Sequence, residues 1–570
     1  MTSRWRSGRL GRPLCPTDRS RCVTEQEPTM RSERVYDVVV VGFGGAGACA
    51  AIAAAEAGAS VLVLDRFYGG GSTTHSGGVV YAGGGTPVQQ EAGVTDSADA
   101  MFTYLSREVG DAVSAATLRR FVDGSPAMIE WLTEQGLPFE GSLCPYKTSY
   151  PTNRHFLYYS GNEQVSSYAE NAAPAPRGHR VRAKNFSGAA FYATLRDAAL
   201  GKGVEFRPLA EVRELIVSDG AVVGVEFDAP DPGAFGRGHK VRTEIAAKLE
   251  VWHPPLGDRL MAKVVSAQRK RSTRHRVLAR GGVVLSTGGF GQNKELVRRY
   301  APAWTEVSPL AAGGDDGAAL RLGAQVDAAT SHLHKMSGWK FISPPSGFLD
   351  GVAVGLSGDR FANEQLYGAT MSEPLIEQQG GRGFLILDAA GWRKARRQAR
   401  SQCAFFQVPQ SLYIFSPFGH RRAGTVAALA SACGIDPAGL EATIAQYNQA
   451  ITAGQPDPLG KADQYRRVLD RGPYFAVNLA PQVSPAYPFP FITLGGLAVD
   501  EDTGAVRRGT GDIIPGLYAA GRAAVGICSN SYVSGLSLAD AVFSGRRAGE
   551  NAAGSGRDVE ILESKNQETR

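Results

Sequence analysis

The sequence predicts an α/β protein: a doubly wound parallel sheet assembled from two separated pieces of chain, with an α+β capping segment inserted between them. Three observations carry this prediction. Tyr36 to Asp65 reads YDVVVVGFGGAGACAAIAAAEAGASVLVLD, which places a strand, a glycine turn, an alanine helix and a second strand in immediate succession. Two later runs, VVLSTGG at Val283–Gly289 and IPGLYAAGR at Ile514–Arg522, have the composition of further buried strands. Between them, residues 293–484 turn helix-rich, so the sheet-forming pieces flank an insertion.

The elements follow in chain order. Residues 1–33 are expected to be a disordered basic tail: eight arginines face four acids up to Arg34, no apolar signal-like stretch occurs, and Met30 is an alternative start. The first sheet-domain piece is expected over 34–292. Val38–Val41 suits a strand buried on both faces. Gly42 then permits a tight turn, Gly44 lets the backbone approach a pyrophosphate, and Gly47 lets the following helix pack closely. Alanines carry that helix until Gly58, and its N-terminus faces the phosphates. The next strand, Val61–Leu64, ends on Asp65, a carboxylate placed to accept ribose hydroxyls. This is a complete Rossmann-like dinucleotide-binding unit.

Glycine clusters at Gly69–Gly71 and Gly83–Gly85 point to backbone pressed against a ligand, and Val204 to Val225 alternates as short strands of a meander. Residues 237–280 carry twelve Lys or Arg against three acids, including RKRSTRHR at Arg269–Arg276. They are expected to be a solvated basic insertion, with contact to a membrane surface or partner as the second reading. The cap is expected over 293–484, with helices at Thr425–Ala432 and Leu440–Ala453. The sheet domain resumes over 485–555 with TLGGLAVDEDTGAV from Thr493, the strand at Ile514 and a Gly535–Gly549 helix; residues 556–570 are a tail.

Composition narrows the function classes. The seven cysteines (Cys15, Cys22, Cys49, Cys144, Cys403, Cys433, Cys528) are odd in number and form no CxxC, so neither a disulfide framework nor a zinc site is expected, and a reducing cytoplasm is. No run of eighteen apolar residues offers a membrane span. No nucleic-acid-binding module surrounds the basic block. His332 and His334 lack carboxylate company, and no metal is expected.

VVVVGFGGAG, GGGSTTHSGG (Gly69–Gly78), VVLSTGGF, GDDGAAL (Gly314–Leu320), SGDRFANE (Ser357–Glu364), TLGGL, LYAAG and LADAVFSGRRAG, in this order, resemble the fumarate reductase and succinate dehydrogenase flavoprotein superfamily from Tyr36 to Ala553. The resemblance implies FAD as cofactor. It implies contacts from Gly42, Gly44, Gly45, Ala46 and Gly47, from Asp65 and Arg66, and from Ser72, Thr73, Ser76, Gly77 and Gly78. Val212, Thr287, Gly288, Gly289, Asp316, Gly521, Arg522, Ser537 and Leu538 complete the expected set, with Asp316 in a structural part. His75 lies two residues before Gly77, nearer the glycine pair than the histidine to which some members attach flavin, so FAD is expected to be noncovalent.

The substrate end departs from the fumarate-handling pattern. Where those members resemble NRLGGNA before the last helix, this chain reads SYVSGLS, with Tyr532 at the arginine position, and Leu494 replaces the histidine of their T-H-G-G turn. A dicarboxylate needs cationic, bidentate partners, so a neutral ketone is expected. YVSG, LYAAGR, YAGGGTP (Tyr81–Pro87) and Tyr367 after SGDRFANE are similar to the flavin-dependent 3-ketosteroid dehydrogenases, the Δ4-(5α) type above all. That resemblance implies Tyr367, Tyr532 and Ser534 as catalytic residues and a C4–C5 double bond as product. Δ1-type members resemble YPGPG at the last site, so Ser534 favours Δ4; Δ1 chemistry and a non-steroid enone or enoate reductase stay as alternatives, as does a flavoprotein scaffold that only binds.

The chemistry fits those residue types. In an extended segment Tyr532 and Ser534 share a face. Desaturation beside a carbonyl removes an α-proton as hydride leaves the β-carbon, and the enolate-like charge needs hydrogen-bond donors. A phenol, with its pKa of about 10, donates readily and acts as a base only when lowered or relayed; Ser534 is expected as the relay or the base. Tyr146, Tyr150, Tyr158 and Tyr159 form an aromatic cluster that either lines a cavity or packs. No second dinucleotide fingerprint is present, so electrons are expected to pass to an external acceptor other than NAD(P)H.

Overall fold

The valine run after Tyr36 becomes the centre of an eight-stranded sheet. A computed structural model of the chain describes residues 31–481 and 484–555; the tails expected up to residue 30 and from residue 556 lie outside the described residues. β1 (Arg31–Val41) feeds helix α1 (Gly45–Glu56), which returns to β2 (Val61–Asp65), parallel to β1 from Val38 beside Val61 to Val41 beside Leu64. β1 begins inside the stretch expected to be tail, because Arg31 and Arg34 already pair with His275 and Val277 of a later strand.

Helix α2 (Gly188–Gly201) leads into β3 (Glu205–Pro208), parallel to β2. β4 (Glu211–Ser218) and β5 (Ala221–Pro230) form the expected antiparallel meander. The basic insertion is not a loop: it folds as a helical hairpin, α3 (Arg237–Trp252) and α4 (Pro254–Arg269), before β6 (Ser272–Leu285). β6 pairs antiparallel with β5 through its first half and parallel with β1 from His275 onward, which joins meander and nucleotide-binding strands. Past the cap, β7 (Ala505–Arg507) and β8 (Ile513–Ala519) complete the order β7-β8-β6-β1-β2-β3, and α5 (Leu536–Gly554) follows.

Alternation along β1 sorts its side chains between two cores. Val38 and Val40 pack with α1 and α5, Val39 and Val41 with the meander side. α1 is buried on every face from Gly45 to Ala54, which explains an alanine composition with no polar stripe. Its partner is α5: a Cβ at Gly545 would lie 2.5 Å from the Ala46 carbonyl oxygen, and one at Gly549 would lie 2.1 Å from that of Ala50. Only glycine permits this approach.

The inserted segment contains a four-stranded antiparallel sheet, in the order Val352–Val354, Phe384–Leu387, Tyr474–Asn478, Arg421–Ala423. Helices Ala389–Gln402, Val426–Cys433 and Pro437–Thr452 accompany it. The SGDRFANE stretch is a buried ionic knot. Arg360 pairs with Glu364 at 2.8 Å and Asp457 at 2.7 Å, Lys461 reaches Glu364 at 3.2 Å, and the Ala353 amide donates to Glu364 at 2.7 Å. Among the described residues no helix is long and apolar enough to cross a membrane, and no group of three or more metal-ligating side chains occurs.

Candidate active site

The C-terminal ends of β1, β2 and β6 and the N-termini of α1 and α5 surround a cavity of about 620 Å³. Gly42, Gly44, Gly45, Ala46, Asp65, Arg66, Ser72, Thr73, Val212, Thr287, Gly288, Asp316, Gly521, Arg522, Ser537 and Leu538, expected at the cofactor, all line it. Local chemistry explains the shape. Gly42 sits at φ +100°, where a Cβ would strike the Ser286 carbonyl oxygen at 2.6 Å, whereas a Cβ on Gly44 would approach nothing closer than Thr73 Oγ1 at 3.6 Å. The turn is pressed against β6 on one side and open toward the cavity on the other. Two helix N-termini aimed into one space make a site for anionic groups.

The residues fit a dinucleotide. Arg522 donates from Nη2 to Asp315 at 2.6 Å, while its buried Nη1 has no hydrogen-bond partner among the described residues. A buried guanidinium edge left open at a cavity wall suits a phosphate oxygen. Asp315, which the sequence reading passed over, is the hub here: it also accepts from Gly289 N at 2.6 Å and Ser72 Oγ at 3.0 Å.

Other expected contacts stand behind the wall. Gly47 packs against Gly42, where a Cβ would lie 1.9 Å from the Gly42 carbonyl oxygen, the helix-packing part expected of it. Gly77 and Gly78 make room for the Tyr150 ring and for Ser187, Ser76 Oγ bonds the Thr73 carbonyl, and Gly289 sits against Thr493. The glycine pair after the loop therefore serves packing and does not line the cavity. Asp65 lines it, but its carboxylate already accepts from the amides of Phe43 and Phe67 at 2.8 Å and of Gly69 at 3.2 Å. Asp316, also on the wall, is ion-paired with Arg66. His75 also lines the cavity, and burial, then the neighbouring Lys248, lowers its pKa so that it stays neutral.

The hairpin α3–α4 supplies wall residues that the sequence reading left out: Lys240, Thr243, Glu244, Ala247, Lys248, Met261 and Arg269. Met261 packs in a small core with Ala246, Val264 and Phe67, and Arg269 binds Glu211 at 2.9 Å. Arg274 binds Asp228 at 2.7 Å. Arg269 nonetheless stays exposed and Arg274 only partly covered, so these pairs lie at the surface of the fold and most of the block's cations face solvent. Phe67, an aromatic next to the acid-ended strand, was the one available signal.

Tyr532, Ser534 and Tyr367 come together beside this cavity without lining it. Ser534 lies three residues before the wall residue Ser537, and Gly535, at φ +97°, seats the segment against the Tyr81 amide. The Ser534 hydroxyl is 2.9 Å from that of Tyr158, which is fully buried, so one member of the tyrosine cluster joins the site; Tyr150 packs in the same small core as Tyr158. Tyr532 is half-buried, its ring 5.1 Å from Trp339 and 6.3 Å from Tyr367, centroid to centroid. Asn162 fixes Tyr367, accepting from its amide at 2.6 Å and donating to Glu108 at 2.8 Å. Burial raises the phenol pKa of Tyr532, Tyr367 and Tyr158; the Gly535 amide pulls Tyr532 back, and Ser534 and Trp339 pull Tyr367 back. All three phenols stay protonated at neutral pH and can donate.

A largely parallel nucleotide-binding core with a glycine turn, an anion-ready cavity and an inserted segment define a dinucleotide-binding protein. The FAD binding domain family matches residues 37–537, and the chain belongs to that family, with FAD as its cofactor. It is 39% identical over 85% of its length to the 3-oxo-5-alpha-steroid 4-dehydrogenase of Comamonas testosteroni, covering 92% of that protein. The 3-ketosteroid-Δ4-(5α)-dehydrogenase of Rhodococcus jostii RHA1, solved with 4-androstene-3,17-dione, superposes with a TM-score of 0.75 at 29% identity, over 93% of this chain and 99% of that one. The 3-ketosteroid Δ1-dehydrogenase of Sterolibacterium denitrificans shares the fold, with a TM-score of 0.60 at 18% identity over 91% of this chain and all of that one.

Proposed function

We propose that this protein is an FAD-dependent 3-ketosteroid dehydrogenase that introduces a C4–C5 double bond into a saturated 5α-3-ketosteroid. The observation that carries the reading is the meeting of Tyr532, Tyr367 and the Ser534–Tyr158 pair beside the cofactor cavity, phenols and a hydroxyl where a carboxylate substrate would need guanidinium groups. Its relatives at 39% and 29% identity, both named as 4-dehydrogenases of such ketones, support the same choice.

When bound, FAD supplies the acceptor for hydride from the β-carbon. Tyr532, neutral and half-buried, hydrogen-bonds the carbonyl oxygen and stabilises its developing charge. Ser534, its hydroxyl 2.9 Å from that of Tyr158, relays the α-proton: its oxygen accepts that proton as its own passes to the Tyr158 oxygen, and the Tyr158 proton passes on to solvent. Asn162 positions Tyr367 through its backbone. FAD is held noncovalently, electrons leave to an external acceptor other than NAD(P), and a reducing cytoplasm is the proposed compartment.

The test is anaerobic mixing of the yellow holoprotein with a saturated 5α-3-ketosteroid. Prompt bleaching with a Δ4-3-ketone product, identified by mass spectrometry and NMR, is expected. Ligand binding with an unchanged flavin spectrum would leave a binding protein, and a Δ1 product would move the double bond to the other side of the carbonyl.

A further inference from the structure

The cap carries a surface that the reading above leaves without a role. Helix Gln407–Phe415 turns Gln407, Gln410, Ser411 and Ile414 inward and Val408 and Leu412 outward. Leu412 is 68% exposed and Phe418, just past the helix, is 82% exposed; Phe405 and Val408 are also open to solvent. Single exposed apolar side chains are ordinary, but four within fourteen residues of one another form a patch that marks an interaction surface.

The patch is bordered by cations. Arg393, Arg396, Arg397 and Arg400, on helix Ala389–Gln402, are exposed, and none forms an ion pair among the described residues. Arg421 and Arg422 are likewise exposed at the far end. The two helices are fixed to each other: Trp392 packs on Phe415 at 5.0 Å and on His420 at 4.6 Å, which keeps Phe418 beside the arginine helix. From the patch an aromatic track leads inward. Phe405 packs on Phe186 at 5.3 Å, Phe406 on Phe186 at 4.5 Å and on Tyr150 at 5.7 Å, and Tyr150 shares a buried core with Tyr158, the partner of Ser534.

We propose that this face of the cap seats on an anionic lipid surface, with Leu412 and Phe418 entering the headgroup layer and the surrounding arginines meeting lipid phosphates. Charge selects this occupant over a second copy of the chain. A two-fold contact would set arginine-rich borders against each other, whereas an anionic bilayer complements them. Delivery of an apolar ketone from the bilayer along the aromatic track rests on the ketosteroid reading; the seating itself does not, and it is measured without turnover.

The experiment is co-sedimentation of the full FAD-loaded chain with vesicles of phosphatidylcholine alone or mixed with phosphatidylglycerol. The expected result is salt-sensitive binding to the mixed vesicles only. Leu412→Asp with Phe418→Ser, and separately Arg396→Glu with Arg397→Glu, are each expected to weaken it by about tenfold or more, with anaerobic flavin bleaching by soluble ketone unchanged. Arg259→Glu with Lys263→Glu, on the exposed side of the α3–α4 hairpin, is expected to have no effect. Absence of vesicle binding by the unaltered protein, equal binding to both vesicle types, or loss only in the hairpin variant overturns the proposal. So does a change of oligomeric state on size exclusion in the Leu412 and Phe418 variant, which would assign the patch to a second copy.

Discussion

Replacing Tyr532 by phenylalanine removes one oxygen from the candidate site and leaves the ring that packs against Trp339 and Tyr367. The ring is half-buried and keeps its aromatic neighbours, so the fold and the cofactor cavity are expected to survive with a stability loss of no more than about 1 kcal/mol, the net worth of a typical hydrogen bond. The effect on chemistry is larger. A positioned proton donor or acceptor contributes about 10² to 10⁴ in rate, or roughly 3 to 5 kcal/mol of transition-state stabilisation. Because burial holds the phenol above its ordinary pKa, the wild-type rate is not expected to rise with Tyr532 ionisation between about pH 6 and 9. Anaerobic stopped-flow bleaching of bound FAD reads the chemical step alone, and steroid titration of the flavin spectrum reads binding. The expected outcome is retained FAD, a dissociation constant for the ketone changed only a few-fold, and bleaching slowed by about two orders of magnitude or more. Bleaching within a factor of about three of the wild type, with binding intact, would remove Tyr532 from the reaction.

Three further predictions concern the framework. Burial pushes Glu250, in the hairpin beside Gly313, up to about 7, so the stability that its neutral form contributes is complete below the unfolded value near 4 and is lost as pH rises through about 7. Glu250→Gln is expected to melt like the wild type near pH 4 and to be more stable at pH 8, by up to about 3 kcal/mol; a lower melting temperature than wild type at pH 8 would contradict the assignment. Gly549→Ala drives a methyl group into the Ala50 carbonyl and should cost about 1 to 3 kcal/mol in urea unfolding. Glu364→Gln leaves Arg360 and Lys461 buried without their shared anion and should destabilise the cap by about 3 to 5 kcal/mol, while FAD fluorescence quenching, which reports the other domain, stays unchanged.

Much of the fold was legible because the nucleotide-binding unit is written in local code. The valines of β1, the glycines of the turn and the alanines of α1 each have one physical use, and they occur in the order that use requires. The cap sheet was not legible: its strands run three to five residues, too short for alternation to separate them from helix-flanking loops. In the site, Tyr532, Ser534 and Tyr367 were named from a resemblance and do converge. Asp315 was missed beside its neighbour Asp316, since nothing in the stretch GDD distinguishes the acid that turns inward. The hairpin wall was missed because a charge run reads as solvated face, and only the third dimension shows Lys240 and Lys248 turned over the cavity.

The glycine-cleared contact between α1 and α5 has a consequence for biogenesis. The two helices come from opposite ends of the described chain, and the cavity needs Ser537 and Leu538 from one as much as Gly44 and Ala46 from the other. On the ribosome, at about 5 to 20 residues per second, the first helix waits on the order of tens of seconds for its mate. During that time the alanine face that meets α5 has nothing to bury against. FAD can therefore be captured fully only after nearly the whole polypeptide has been made, and nascent chains stalled before Gly535 should depend most heavily on chaperones that hold apolar helices.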